Sequence, residues 1–166
     1  AMSNGRKHKT MVNTKKALVT GASEGIGRVF AKRLAAEGYQ VTAVARNEER
    51  LIQLMSEIGS DGHGYTVADL STPSGIGQIA EEVENGQYDL LINNAGSSLY
   101  APFYQTDLMK WEGMMRLNCE AVLTLTHTFL RQAKAGDALV NVASCLAFMP
   151  LPASGLYCAT KAFVLS

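Results

Sequence analysis

The stretch Lys16-Ala17-Leu18-Val19-Thr20-Gly21-Ala22-Ser23-Glu24-Gly25-Ile26-Gly27 decides how this chain is read. Its first five residues form a short strand that stops at Gly21. From Gly25 to Glu37 the pattern becomes helical, with Ile26, Val29, Phe30, Arg33 and Leu34 at helical spacing and Gly38 as the stop. Strand, glycine turn and helix thus follow one another without a spacer.

The same alternation runs outward along the chain. Gln40 to Ala45 reads as a second strand, Glu48 to Ile58 as a helix closed by Gly59, and Gly64 to Ala68 as a third strand. Pro73 opens a helix through Ile76, Ile79, Ala80 and Val83. Asp89 to Asn93 is a fourth strand, and a long helical region is expected from about Asp107 to Lys134. Ala138 to Ala143 is a fifth strand, and a last helix begins near Ala153 and runs to Ser166. Leu90 to Ile92 is apolar on both faces, as in parallel strands covered by helices on either side. Repeated β-α units with short connections predict an α/β fold, a doubly wound parallel sheet with right-handed crossovers.

Composition bounds the function. The chain has 166 residues, of which 47% are hydrophobic, and a formal net charge of zero. That balance gives no electrostatic reason to expect nucleic acid or an anionic membrane as partner. No apolar run approaches the ~18 residues of a membrane span. Residues 1–15 are basic and without apolar periodicity, and are read as a disordered leader; residues 16–166 form the one domain. No apolar segment follows the basic start, so a secretory signal is not expected and the cytoplasm is the expected location. Cys119, Cys145 and Cys158 fit neither zinc spacing nor a disulfide framework, and are read as buried or half-buried free thiols. No metal site is expected, and His8, His63 and His127 fit no catalytic pattern.

The glycine turn has a chemical reading. Gly21 lets the chain turn sharply, Gly25 leaves room for a pyrophosphate beside the backbone, and Gly27 lets the helix pack close to the sheet. Free N–H groups at the helix start then face the anion. The spacing is G-x-x-x-G-x-G, not G-x-G-x-x-G. The second strand ends Val44-Ala45-Arg46-Asn47, with no carboxylate to bond the ribose hydroxyls of NAD. Arg46 can instead pair with a 2′-phosphate through its planar fork, so NADP(H) is favoured over NAD(H). A solvated arginine opening a helix is the alternative at that position. Asp69, in Ala68-Asp69-Leu70, reads on its own as a turn or capping aspartate.

Tyr157-Cys158-Ala159-Thr160-Lys161 places a phenol and an ammonium four residues apart, on one face of a helix. A free tyrosine, with a pKa of about 10, is a poor acid/base near neutrality, and a neighbouring ammonium favours its phenolate. The pair makes a general acid/base. Ser144 stands thirteen positions earlier, at the end of the fifth strand, with Pro150 and Pro152 marking a loop between. Asn118 lies in the long helical region, in Arg116-Leu117-Asn118-Cys119.

Taken together and in order, these residues resemble the ordinary, non-extended branch of the short-chain dehydrogenase/reductase family over nearly everything from Lys16 to Ser166. Asn118, Ser144, Tyr157 and Lys161 fall on its catalytic tetrad. The resemblance implies strand order 3-2-1-4-5 and hydride transfer between a nicotinamide and a carbonyl or secondary alcohol. Tyr157 would be the proton donor, Ser144 would hydrogen-bond the carbonyl oxygen, Lys161 would hold the nicotinamide ribose, and Asn118 would hold a relay water. Cofactor contacts are implied at Gly21, Ser23, Glu24, Gly25, Ile26, Gly27, Arg46, Asp69, Leu70, Asn94, Ala95 and Gly96, as well as at Tyr157 and Lys161. A homodimer or homotetramer is implied for the parent protein.

The sequence departs from that pattern in one respect: only Ala162 to Ser166 follow the lysine. The family's last two strands and substrate loop are absent, so this chain is expected to have little activity of its own and an apolar sheet edge at Ala138 to Ala143. A non-enzymatic dinucleotide-binding module, or an inactive fragment, is the competing reading. An epimerase or dehydratase on the same core is a third, disfavoured by the glycine spacing. Substrate identity is not readable; Ser97, Leu99, Tyr100, Phe148 and Leu151 indicate only a fairly apolar mouth.

Overall fold

The computed structural model describes residues 14–59 and 62–166. Most of the basic leader therefore lies outside the described residues. Five parallel strands form one sheet: β1 Lys16–Thr20, β2 Gln40–Ala45, β3 Gly64–Val67, β4 Leu90–Asn93 and β5 Ala138–Asn141. Their order is β3-β2-β1-β4-β5, so the expected topology is the observed one. Six helices connect and follow the strands: α1 Gly25–Ala36, α2 Glu48–Ile58, α3 Pro73–Gly86, α4 Leu108–Met115, α5 Ala121–Leu130 and α6 Gly155–Leu165.

The two faces of the sheet carry separate cores. Ala17, Val19, Val41, Ala43 and Ile92 pack under α1 and α2, against Ala31, Leu51 and Leu54. Leu18, Val44 and Leu91 pack under α3 and α5, against Ile79, Val83, Leu125 and Phe129. Alternate residues of β1 thus feed opposite faces, which is why the run had to be apolar throughout. Each fully buried Leu contributes about 1.5–3 kcal/mol by leaving water.

The helix α1 is the expected one, with Ile26 and Val29 on its outer face at 61% and 66% exposure. The buried stripe of α1 runs through Gly27 and Ala31, because the helix docks through its small residues. Three expectations need correction. The long helical region is α4 and α5 joined by a π-helical segment, Arg116–Glu120, which widens the ladder around Asn118. β5 ends at Asn141, although the Val142 N–H still bonds the Asn93 carbonyl at 2.9 Å. Ser144 therefore lies beyond the strand. Finally, Cys145 is exposed, unlike the half-buried Cys119 and buried Cys158. Among the described residues no helix is long and apolar enough to cross a membrane, and no cluster of three or more His, Cys, Asp or Glu could hold a metal ion.

Candidate active site

A cleft of about 590 Å³ opens at the carboxyl ends of the strands, where open α/β sheets hold ligands. β1 delivers Gly21, Ser23, Glu24, Gly25 and Ile26 to it; β2 delivers Arg46, and β3 Asp69 and Leu70. β4 delivers Asn94, Ala95 and Gly96, the turn after β5 delivers Ser144, and α6 delivers Tyr157 and Lys161. Of the expected site residues, Gly27 and Asn118 do not line the cleft. Both sit directly behind it.

The glycine turn is built from backbone requirements. Gly21 has φ +66° and lies so close to Asn94 and Ala95 that a Cβ would stand 2.8 Å from Asn94 Nδ2. Gly25 has φ +55°, and a Cβ there would meet nothing within 4 Å, so the space over the turn is open. At Gly27 a Cβ would collide with the Gly21 carbonyl and Asn94. Glu24 occupies the N-cap of α1 without making a capping bond, which leaves the first-turn N–H groups of the helix to face the cleft. This open, donor-lined turn fits a pyrophosphate.

Thr20 ties the turn to the end of β4. Its Oγ1 accepts from the Asn94 and Ala95 N–H groups, both at 3.0 Å, while Asn94 Nδ2 donates to the Thr20 carbonyl at 2.9 Å. Asn93 bridges β4 to β5 and α5 by donating to Asn141 Oδ1 at 2.9 Å and Thr126 Oγ1 at 3.1 Å. Asp69 closes its own turn, accepting from the Ser71 N–H and hydroxyl at 2.9 and 2.7 Å. Burial opposes its ionisation, but the two Ser71 bonds and the Arg46 guanidinium, 4.0 Å away, hold its carboxyl below the ordinary range.

On the other side, Tyr157 and Lys161 share a face of α6. Lys161 is 6% exposed as a residue, and its ammonium lies 6.0 Å from the centre of the Tyr157 ring. It donates to the Val142 carbonyl at 2.8 Å. Burial pulls its pKa below the usual lysine range, with charge on Cys119 opposing that shift. The same burial pushes the Cys119 thiol up, against the pull of Lys161. Ser144 begins a 3-10 turn, Cys145–Ala147, its Oγ accepting from the Leu146 N–H at 3.2 Å.

Asn118 is fully buried in the π segment. Its amide pairs with both backbone groups of Ser97 at 3.0 Å and donates to Thr160 Oγ1 at 3.0 Å. Thr160 donates in turn to the Tyr157 carbonyl at 2.7 Å. The Asn118 side chain thus makes three hydrogen bonds that tie the π segment to Ser97 and to α6. Thr160 and Thr20 were missed from the sequence, and Ser97 was read only as part of the substrate mouth, not as the backbone partner of Asn118. Each stands within or beside a quoted motif, but nothing in its type or spacing distinguishes it from an ordinary turn or helix hydroxyl.

A sheet-end cleft with a glycine turn on one side and a Ser, Tyr and Lys on the other defines a dinucleotide-binding α/β protein. The model of the short chain dehydrogenase family matches residues 15–166. An uncharacterized oxidoreductase of Staphylococcus epidermidis is 32% identical over 158 residues, covering 92% of this chain and 68% of that protein. The crystal structure of a bulky-bulky ketone specific alcohol dehydrogenase from Comamonas testosteroni superposes with TM-score 0.85 at 32% identity. It covers 92% of this chain, which spans 64% of that one. A short-chain dehydrogenase from Sphingobium yanoikuyae in complex with NADPH gives TM-score 0.82 at 32% identity, over 91% of this chain and 61% of that one. The chain belongs to the short chain dehydrogenase family, a family of NAD(P)-dependent oxidoreductases.

Proposed function

We propose that this sequence carries the nucleotide site and proton-transfer centre of an NADP(H)-preferring carbonyl reductase or alcohol dehydrogenase. The arrangement that supports it is a single one: Ser144, Tyr157 and Lys161 line the same cleft as the glycine turn and Arg46. The nicotinamide cofactor supplies the hydride when bound. Gly25 and the uncapped start of α1 hold its pyrophosphate; Asp69 and Leu70 flank the adenine; Arg46 takes the 2′-phosphate. Asn94 to Gly96 leave room for its passage across the sheet.

In the reducing direction Tyr157 gives its phenolic proton to the substrate carbonyl oxygen. Ser144 donates a hydrogen bond to that oxygen and orients it. Lys161 sets positive charge beside the phenol and reaches the ribose hydroxyls. The Asn118 backbone carbonyl, on the widened π segment, holds the water that returns a proton to Lys161. Several related proteins have NADP or NADPH in their crystal structures, which supports the cofactor preference. The substrate is a small molecule bearing a carbonyl or secondary alcohol. Leu123, Leu130, Phe163 and Leu165 are exposed on α5 and α6, and we assign them to pairing of subunits in a homodimer or homotetramer.

Tyr157→Phe tests the reading in the whole protein. NADPH oxidation with a panel of ketones should fall at least about 100-fold, the span usual for a lost general acid, with NADPH affinity kept. A variant that turns over normally refutes the role of Tyr157. A wild-type protein that binds the dinucleotide and turns over nothing favours a binding module.

A further inference from the structure

We infer that Arg50 governs the coenzyme choice of this cleft by neutralising Glu24 at its lip. The inference rests on the dinucleotide reading above. Glu24 lines the cleft beside Ser23 and in company with Arg46. Its side chain is 71% exposed and makes no capping bond to α1. It pairs instead with the guanidinium of Arg50, from the first turn of α2.

Arg50 is held in place to do so. Its N–H donates to Asn47 Oδ1 at 2.9 Å, the cap of α2. Its carbonyl accepts from Arg28 Nη1 at 3.2 Å, and Arg28 is fixed on Glu57 at 2.8 Å. The turn after β1 and the start of α2 are thereby tied together from both sides.

Charge then decides between the two dinucleotides. A 2′-phosphate adds about −1.5 to −2 charges; NAD(H) has a neutral hydroxyl there. Arg46 is free to meet that phosphate, since its contact with Asp69 is a loose 4.0 Å. Glu24 opposes the same phosphate, and Arg50 cancels that opposition without touching the ligand. Removing Arg50 would leave a bare carboxylate whose repulsion falls on NADP(H) alone. Arg50 is in this sense a specificity-determining positioning residue.

The test is a titration of NADPH and NADH, followed by nucleotide fluorescence at low salt. It uses the wild-type protein, Arg50→Ala, Glu24→Gln and the double variant, each checked for an unchanged melting profile. Arg50→Ala should weaken NADPH about ten-fold and NADH by less than about two-fold, as expected for one uncompensated charge near a dianion. Adding Glu24→Gln should bring NADPH affinity back to within about two-fold of wild type. Equal losses for both dinucleotides would overturn the inference. So would a double variant as weak as Arg50→Ala, since Arg50 would then contact the phosphate itself. Wild-type protein that binds neither dinucleotide, or only NADH, would remove the proposed function as well; unchanged discrimination in Arg50→Ala, with wild-type binding intact, removes this inference alone.

Discussion

At the scale of single residues, Lys161 carries the sharpest prediction. Burial disfavours its charged form in the folded state, so its folded pKa lies below its ordinary value of 10.5. In the window between the two, the unfolded chain binds a proton that the folded chain does not. Stability contributed by this group therefore rises with pH through that window, up to 10.5. Lys161→Met removes the titrating group and keeps the apolar stem. The variant should be more stable than wild type at neutral pH by on the order of 1 kcal/mol, and the gap should narrow as pH approaches the ordinary lysine value. Urea midpoints for both proteins at several pH values would measure it; parallel curves would mean that the ammonium is not desolvated. Cations buried at such a cost are found at reactive sites more often than elsewhere, which accords with the role proposed for Lys161.

Residue identity made much of this site legible in advance. Glycines that need positive φ, an arginine at a strand tip and Tyr and Lys one helical turn apart all carry local chemistry that spacing reveals. What spacing cannot reveal is which hydroxyls tie distant segments together. Thr160 bonds Asn118, 42 positions away in sequence, and Thr20 bonds Asn94, 74 positions away. The inward face of α1 was out of reach for a related reason: helical spacing fixes which residues share a face, but close docking through Gly27 and Ala31 fixes which face is inward and leaves Ile26 and Val29 outside.

At the scale of elements, the π segment and α6 are joined by one buried polar link. Asn118 Nδ2 to Thr160 Oγ1, and Thr160 Oγ1 to the Tyr157 carbonyl, run in series. Thr160 is 1% exposed, so water cannot substitute for its hydroxyl. Thr160→Val keeps the shape and removes the link. It should cost about 1–3 kcal/mol, the penalty for stranding buried polar groups, whereas Thr160→Ser should cost less than about 1 kcal/mol, since it restores the hydroxyl and loses one methyl. Denaturant melts of the two variants decide it: equal losses would show that the methyl, not the hydroxyl, holds α6. The π widening itself escaped the sequence because Arg116 to Glu120 has ordinary helical composition. One additional residue per turn leaves no mark on periodicity over so short a stretch.

At the scale of the whole molecule, the cleft lies between two groups of residues that the sheet, the packing of α3 on α5 and the Thr20–Asn94 bonds hold together. Gly21 to Ile26, Arg46 and Asp69 stand on the β1-β2-β3 side; Ser144, Tyr157 and Lys161 stand on the β4-β5 side, with Asn94 to Gly96 between. A dinucleotide lying across the strand ends would touch both halves and would bind only when they are folded together. Ligand that binds the folded state alone stabilises it by about 2.7 kcal/mol at one hundred times its Kd. For a chain of this length that corresponds to a rise in Tm of about 5–10 °C. The adenosine half of the ligand, 2′,5′-ADP, reaches only the β1-β2-β3 side and should give a smaller rise at the same multiple of its own Kd if the two halves melt as separate units. Should they melt as one, the two ligands at matched saturation would shift Tm equally. Scanning calorimetry with each ligand therefore reads both the presence of the site and the cooperativity of the sheet beneath it. No shift with NADPH at saturating concentration would mean that the cleft, however well its residues are arranged, does not hold the nucleotide.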